Sequence, residues 1–352
     1  MPVPTPIETR LELVDPPDGA AWDRFVEAAD GATFCHLWAW RAVMEDALGH
    51  ECLYRAAVGP DGVWAGVLPL VRMKSRLLGH YLVSMPFLNY GGPVGTPDAQ
   101  RALARWAAAE AERSGVDLLE LRSRRELALP PGLRTAQRKV TVVLELPDAA
   151  DALWQRFSSK LRSQVRRPQK EGMEARFGAD QADAFYAVFS RHMRDLGTPV
   201  LPRRLFERIA EAFGELVAFG AVYRGTEPVA AGCGFLWRGE FEMTWASALR
   251  EHSRAAPNML LYWAFMEEMI RRGARVFNFG RCTPGGGTHR FKLQWGGRDE
   301  PLPWAHWSSG GQDRPPDGER GVFRLAVAAW QRLPLPIANR LGPIVARRIA
   351  TF

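Results

Sequence analysis

Apolar positions recur at helical spacing over residues 21–30 (AWDRFVEAAD) and 36–48 (HLWAWRAVMEDAL), which predicts two helices near the start of the chain. Two short runs rich in strand formers follow, 51–58 (ECLYRAAV) and 63–71 (VWAGVLPLV). The turn cluster GPDG parts them, so they predict a hairpin. Residues 79–95 read as a strand entering a glycine-rich loop, 98–114 as a helix stopped by Gly115, and 116–121 and 139–146 as strands. The second half repeats this order. Helices are predicted at 149–167, 181–196 and 203–213, strands at 215–224, 227–237 and 240–248, a long helix at 257–272 and a strand at 275–279. Pro168 should kink or end the helix near 164–167, because it removes a backbone donor and crowds the preceding turn. GPDGVWAGVLPLV in the first half echoes RGTEPVAAGCGFLW in the second, each a turn and then a strand with small residues at its middle. The pattern points to a duplicated α+β unit.

Past the second half the pattern changes. Residues 308–321 (SSGGQDRPPDGERG) have the composition of a linker. Residues 322–333 and 336–350 are amphipathic and basic, broken by Pro334 and Pro336. They suit a tail packed on its own domain or one lying on an anionic membrane surface. At 352 residues, 47% of them hydrophobic with 13 Trp and 18 Phe, the chain can fill two cores. A net charge of +7 suits phosphate, carboxylate, nucleic acid or an anionic membrane, without choosing among them. Cys35, Cys52, Cys233 and Cys282 have no metal-ligand or disulfide spacing, which fits reduced thiols in a cytoplasm. The opening residues lack the pattern of a secretory leader, and no run approaches the ~20 apolar residues a membrane span needs. The expectation is a cytoplasmic protein, peripheral at most to the inner membrane.

The segment 273–297, GARVFNFGRCTPGGGTHRFKLQWGG, carries the most information. With Leu196-Gly197-Thr198-Pro199, Pro257-Asn258, Ser84-Met85-Pro86-Phe87, Asn89-Tyr90-Gly91-Gly92 and the tail WQRLPLPIANRLGP, it resembles the FemAB-like proteins associated with exosortase (PEP-CTERM) systems. These are related to acetyltransferases and to the aminoacyltransferases that form peptidoglycan bridges. The resemblance implies two tandem acetyltransferase (GNAT)-like domains, each a mixed sheet flanked by helices. The expected division is 1–147, 148–307, the linker 308–321 and a basic tail 322–352. It also implies transfer of an acyl or aminoacyl group to an amine of an envelope or exopolysaccharide-related acceptor, by direct attack on an activated donor. The co-substrate would be acyl-CoA or aminoacyl-tRNA, with no permanently bound cofactor. One departure stands out: the family commonly has aspartate where this chain has Asn278, so that position is read as structural. A catalytically degenerate fold serving as a scaffold in envelope assembly is the alternative reading.

For this chemistry a protein must hold the donor's anion, remove a proton and stabilise an oxyanion. Gly285, Gly286 and Gly287 let backbone N–H groups approach an anion closely. Arg281, Thr288, Arg290 and Lys292 around them would complete a clamp between the two halves. A second cluster places Arg162, Arg166 and Lys170 on one helix face, suited to a nucleotide, tRNA or lipid-linked phosphate, or simply solvated. Candidate bases are His289, His192 and Asp195, the last two at i, i+3 on one helix, with Glu242 behind them. Cys282 beside Arg281 could be read as a nucleophile, but no base is specified for it. The aromatics Tyr262, Trp263, Phe265, Trp295, Trp304 and Trp307 read as core or cleft wall. No zinc, EF-hand, HExxH, Walker or GxSxG spacing is present, so no metal is expected. No RNA-recognition signature is present, and DNA is not an expected partner.

Overall fold

In the computed structural model, which describes residues 11–75, 79–310 and 321–349, the hydrophobic echo between the halves becomes a repeated order of elements. The first round begins with β1 (Glu12–Val14), then α1 (Gly19–Ala28), α2 (Ala39–Leu48), β2 (Glu51–Val58), β3 (Trp64–Ser75), β4 (Gly79–Val83) and the short β5 (Val94–Gly95). It closes with α3 (Pro97–Arg113) and β6 (Leu118–Leu121). After β7 (Arg134–Glu145), α4 (Ala150–Arg156) and α5 (Ser159–Lys170) comes the second round. This consists of β8 (Met173–Phe177), α6 (Ala182–Leu196), α7 (Arg203–Phe213), β9 (Val217–Arg224), β10 (Glu227–Trp237), β11 (Glu240–Ala248), α8 (Pro257–Arg271) and β12 (Val276–Cys282). The chain ends with α9 (Gly287–Leu293), β13 (Arg298–Ser308), α10 (Gly321–Gln331) and α11 (Leu335–Ala346).

Each round builds the same sheet. β1, β2, β3 and β4 pair antiparallel, and α3 carries the chain across so that β6 lies parallel to β4. Likewise β8, β9, β10 and β11 pair antiparallel, and α8 carries the chain to β12, parallel to β11. This is the mixed α/β architecture of a tandem GNAT-like fold. The small residues of the echo have a packing reason. A Cβ on Gly66 of β3 would sit 2.7 Å from Ala99 of α3, and one on Gly232 of β10 would sit 3.0 Å from Phe265 of α8. In both rounds the crossover helix rests directly on the strand.

The chain divides into two compact units at places the sequence did not mark. One comprises Met1–Gln137, Leu302–Pro315 and Arg348–Phe352, the other Arg138–Pro301 and Pro316–Arg347. The first sheet is completed by Ala305–Ser308 of β13 pairing with β6, and the second by β7, whose Val140–Glu145 pairs with β12. The expected boundaries near 147 and 307 therefore differ from these divisions, which fall within strands. Residues 311–320 of the expected linker lie outside the described residues. The first core gathers Leu68, Leu82, Leu103, Leu119 and their neighbours. The second gathers Val142, Phe241, Phe265, Phe277 and Trp295.

Three local expectations are corrected. The helix predicted at 149–167 is two helices, because Ser158 caps a new one by accepting from Leu161 N at 3.2 Å. α5 then runs through Pro168 to Lys170; the missing donor sits in the last turn, where its loss is least disruptive. The glycine segment read as a loop begins a helix at Gly287.

Candidate functional site

The site begins where two parallel strands separate. β11 and β12 pair only over Glu240–Glu242 and Val276–Asn278, although both run on. An irregularity interrupts each strand beyond that point. On β11, Thr244 is an extra residue opposite the Cys233–Gly234 step of β10. On β12, Phe279 and Gly280 together oppose Val142 of β7, with Gly280 at φ 71°. Bulges of this kind bend a strand and reverse the facing of the residues beyond them. Phe241 and Met243 face α8, where Phe241 stacks on Phe265 at 5.5 Å. Beyond the bulge Trp245 turns to α7, 5.2 Å from Phe206, and Ser247 turns the same way to meet α6.

Asn278 fixes the second bulge. Its Oδ1 accepts from Thr141 Oγ1 at 2.5 Å and from Gly280 N at 2.9 Å, and its Nδ2 donates to Glu240 Oε1 at 2.8 Å. The side chain is wholly buried, and both ends of the amide are engaged. An amide supplies the donor and the acceptors this position needs.

A cavity of about 310 Å³ opens beside the separated strands, lined by Ala246 and Ser247 of β11, Asn258, Leu261 and Tyr262 of α8, and Gly287, Thr288 and Phe291 of α9. All eight residues belong to the second unit. The 15-residue α8 presents its N-terminal turn here, after Ala256 in the left-handed region at φ 57° and Pro257 at the first helical position. Pro257 has no N–H and Met259 N donates to Ala256 O at 2.9 Å, but the positive end of the helix dipole still favours negative charge here. The exposed Arg250 and Arg254 precede this turn and add positive charge.

His192 reaches the cavity wall through Ser247, its Nδ1 lying 2.9 Å from Ser247 Oγ. Burial and the Arg250 guanidinium hold His192 below its ordinary 6.5, against the opposing pull of Asp195. The imidazole is therefore neutral at pH 7, and its Nδ1 can accept the seryl proton. Burial likewise raises Tyr262 above 10.0, so its phenol keeps its proton.

The other residues singled out in the sequence have varied surroundings. Gly287 and Thr288 line the cavity. Gly285 N donates to His289 Nδ1 at 3.0 Å and Gly286 N to Thr283 O at 3.2 Å, so these two glycines are occupied within the loop. His289 also holds Asp299 through Nε2 at 2.9 Å. With Nδ1 accepting and Nε2 donating, it fastens the loop and has no nitrogen left to act as a base. Lys292, expected in an anion clamp, is buried and donates to Gly280 O at 2.6 Å and Arg281 O at 2.9 Å. Burial lowers it to about 8. Arg290, which is exposed, donates to Gly285 O at 2.6 Å. These contacts shape the turn after β12, so Lys292 braces the glycine loop from within and Arg290 from the surface. Arg281 stands half-buried near the end of β12. Asp195 pairs with Arg194 at 2.7 Å. Arg162 donates to Gln155 at 3.4 Å, and Arg166 lies over the Trp154 ring at 5.2 Å; neither lines the cavity. Cys282 is buried and its thiol is pushed up by burial, which disfavours the thiolate a nucleophile needs. Glu227, Glu251 and His252 bring candidate ligand atoms within 4.8 Å of one another. Arg191 pairs with both carboxylates, at 3.8 and 2.8 Å, which makes the group an ion-pair network.

Sequence reasoning passed over Ser247, Asn258 and Gly287's neighbour Phe291 as cavity residues. The one available signal was Thr244-Trp-Ala-Ser247 in a strand with an uneven small-and-large pattern, which a bulge accounts for.

Residues 155–293 match the acetyltransferase (GNAT) domain family. No curated protein matches the chain in sequence. Among solved structures, FemX superposes with a TM-score of 0.63 at 14% identity, covering 84% of this chain and 97% of that one. The C-terminal domain of a putative lysylphosphatidylglycerol synthetase from Agrobacterium fabrum gives 0.55 at 12% identity, over 83% and 92% of the two chains. A tandem GNAT protein from the clavulanic acid biosynthesis pathway gives 0.51 at 13%, over 86% and 100%. The fold is thus that of the acyl- and aminoacyltransferase-like proteins.

Proposed function

We propose that the second unit transfers an acyl or aminoacyl group from an activated donor to an amine. The observation that carries this reading is a cavity walled by β11, α8 and α9 beside the separated parallel strands, with a helix N-terminus at one wall and the Ser247–His192 pair at another. The donor's anionic portion meets the N-terminal turn of α8, aided by Arg250 and Arg254. Its carbonyl lies along β11 beyond Thr244, where β12 no longer supplies strand partners and backbone N–H groups can stabilise an oxyanion. The amine attacks the carbonyl, and a C–N bond forms. As it does so, the amine gives a proton to Ser247, which passes its own to Nδ1 of neutral His192. The tetrahedral intermediate then expels a thiolate or an alkoxide, breaking the C–S or C–O bond; the leaving group takes a proton from solvent, and His192 returns the amine's proton to solvent. No covalent enzyme intermediate is needed.

The donor is an acyl-CoA or an aminoacyl-tRNA. The acceptor, on the resemblance of segment 273–297, is an amine of an envelope or exopolysaccharide-related molecule. Release of free thiol from acyl-CoAs, or of tRNA from its aminoacyl ester, in the presence of candidate amines tests the reading. His192→Ala and Ser247→Ala should each lower kcat about a hundredfold with little change in donor Kd. Wild-type rate should hold through neutral pH and fall only below 6.5, where His192 takes up a proton. Unchanged kcat in both variants would remove the proton relay.

A further inference from the structure

α11 packs the wrong way round for a helix that belongs only to its own domain. Its small residues face inward: Ala338, Gly342 and Ala346 are buried, and a Cβ on Gly342 would come within 2.8 Å of Val200. Its large aliphatics face outward. Ile337, Leu341 and Ile344 are 46%, 43% and 44% exposed and fall within about 60° of arc at 3.6 residues per turn. Leu325 on α10 is 72% exposed. Both helices are held to the second unit by polar contacts at their inner edges. Gln331 of α10 donates to Asp195 O at 3.2 Å, Arg194 donates to Leu333 O in the turn between the helices at 3.1 Å, and Asn339 Nδ2 of α11 donates to Ser190 Oγ at 3.5 Å. The outward apolar face is therefore a fixed feature of the fold.

Charge identifies what covers it. Residues 321–352 contain no aspartate or glutamate. Arg324, Arg332, Arg340 and Arg347 are all exposed, and none is ion-paired among the described residues. Arg340 of α11 and Arg347, its C-cap, lie along one flank of the aliphatic stripe, where long side chains can reach outward while their stems cover apolar surface. A second copy of the chain docked two-fold on this face would set arginines against arginines with no acid to offset them. We infer that α11, with the adjoining end of α10, docks on the surface of an anionic phospholipid bilayer. The Ile337, Leu341 and Ile344 side chains enter the acyl boundary and the arginines meet lipid phosphates. Membrane docking of this kind does not depend on the transferase reading.

Sedimentation of the full chain with vesicles tests it, using phosphatidylcholine with and without one third phosphatidylglycerol. The wild type should sediment with the anionic vesicles, stay in solution with neutral ones, and be released as salt rises. The triple variant Ile337→Ser, Leu341→Ser, Ile344→Ser and the double variant Arg340→Glu, Arg347→Glu should each weaken partitioning at least about tenfold. Their circular dichroism should be unchanged, since only exposed side chains are altered. Hydrogen exchange across 335–346 in the wild type should slow when anionic vesicles are added, a readout that needs no variant. Absence of binding at low salt, or unchanged exchange in that segment, overturns the proposal. Full retention by the triple serine variant overturns it as well, because charge alone would then explain binding. So does a dimer in light scattering that the serine variant abolishes, which would assign the face to a second copy.

Discussion

Asn278 shows how one atom type can decide a position. Its amide donates to Glu240 and accepts from Thr141 and Gly280. In Asn278→Asp the donor is lost and two carboxylates face each other in a buried site. One of them must then hold a proton, so its folded value rises above its unfolded one. Stability from that proton is present at low pH and is lost as pH rises. The variant should be about 2 kcal/mol less stable than the wild type near pH 8, and closer to it near pH 5, in denaturant titrations. Adding Glu240→Gln should recover most of the loss. Lys292 makes the converse case. Burial lowers it from 10.5 to about 8, so the unfolded chain binds more protons between those values and stability rises with pH across that window. Subtracting the pH profile of Lys292→Met from that of the wild type should isolate this rise. The variant should also lose about 1–3 kcal/mol from two stranded carbonyls. The residue types around Phe279 were legible in the sequence as a special segment. Their direction was not, because the same arginine, lysine and histidine can point at a ligand or brace a loop. Of the proposed bases, His192 is hydrogen-bonded to a residue that lines the cavity, and that partner, Ser247, has no sequence mark of its own.

Among the elements, strands and helices with clean periodicity were legible to within a few residues. The hairpin predicted at 51–58 and 63–71 is β2–β3, and the helices at 181–196 and 203–213 are α6 and α7. Elements whose local signals conflict with their context were missed. Three glycines concealed α9, which starts at the last of them. Pro301 and Pro303 concealed β13, which runs through both. The bulge at Thr244 matters most, since it sends Ser247 towards α6 and away from α8. Replacing Thr244 with a rigid strand former leaves the bulge in place, whereas deleting it restores even pairing with β10. The deletion should turn Ser247 away from His192 and reduce turnover about as far as Ser247→Ala, with loss of the acid limb set by His192. Turnover equal to the wild type would show that the bulge has no part in the site.

For the molecule as a whole, duplication was visible in the echo of two turn-and-strand segments, because packing a helix on a strand demands small residues in both rounds. The division into units was not visible, since β7 and β13 carry the chain between the units and no linker composition marks a strand. The sequence suggested an anion pocket between twin halves, whereas the eight residues lining the cavity all come from the second unit. The account thus rests on that cavity receiving the donor. Gly287 lines it, and a Cβ there would meet nothing within 4 Å, so Gly287→Phe fills the space without straining the fold. Calorimetric titration of the full chain with acetyl-CoA, a longer acyl-CoA and an aminoacyl-tRNA, compared between wild type and Gly287→Phe, is the most direct measurement. The account predicts saturable binding of at least one donor to the wild type, stabilising it by about 2.7 kcal/mol at a hundredfold excess over Kd, and loss of that binding in the folded variant. Equal affinity in both proteins, or no affinity for any donor, would contradict it.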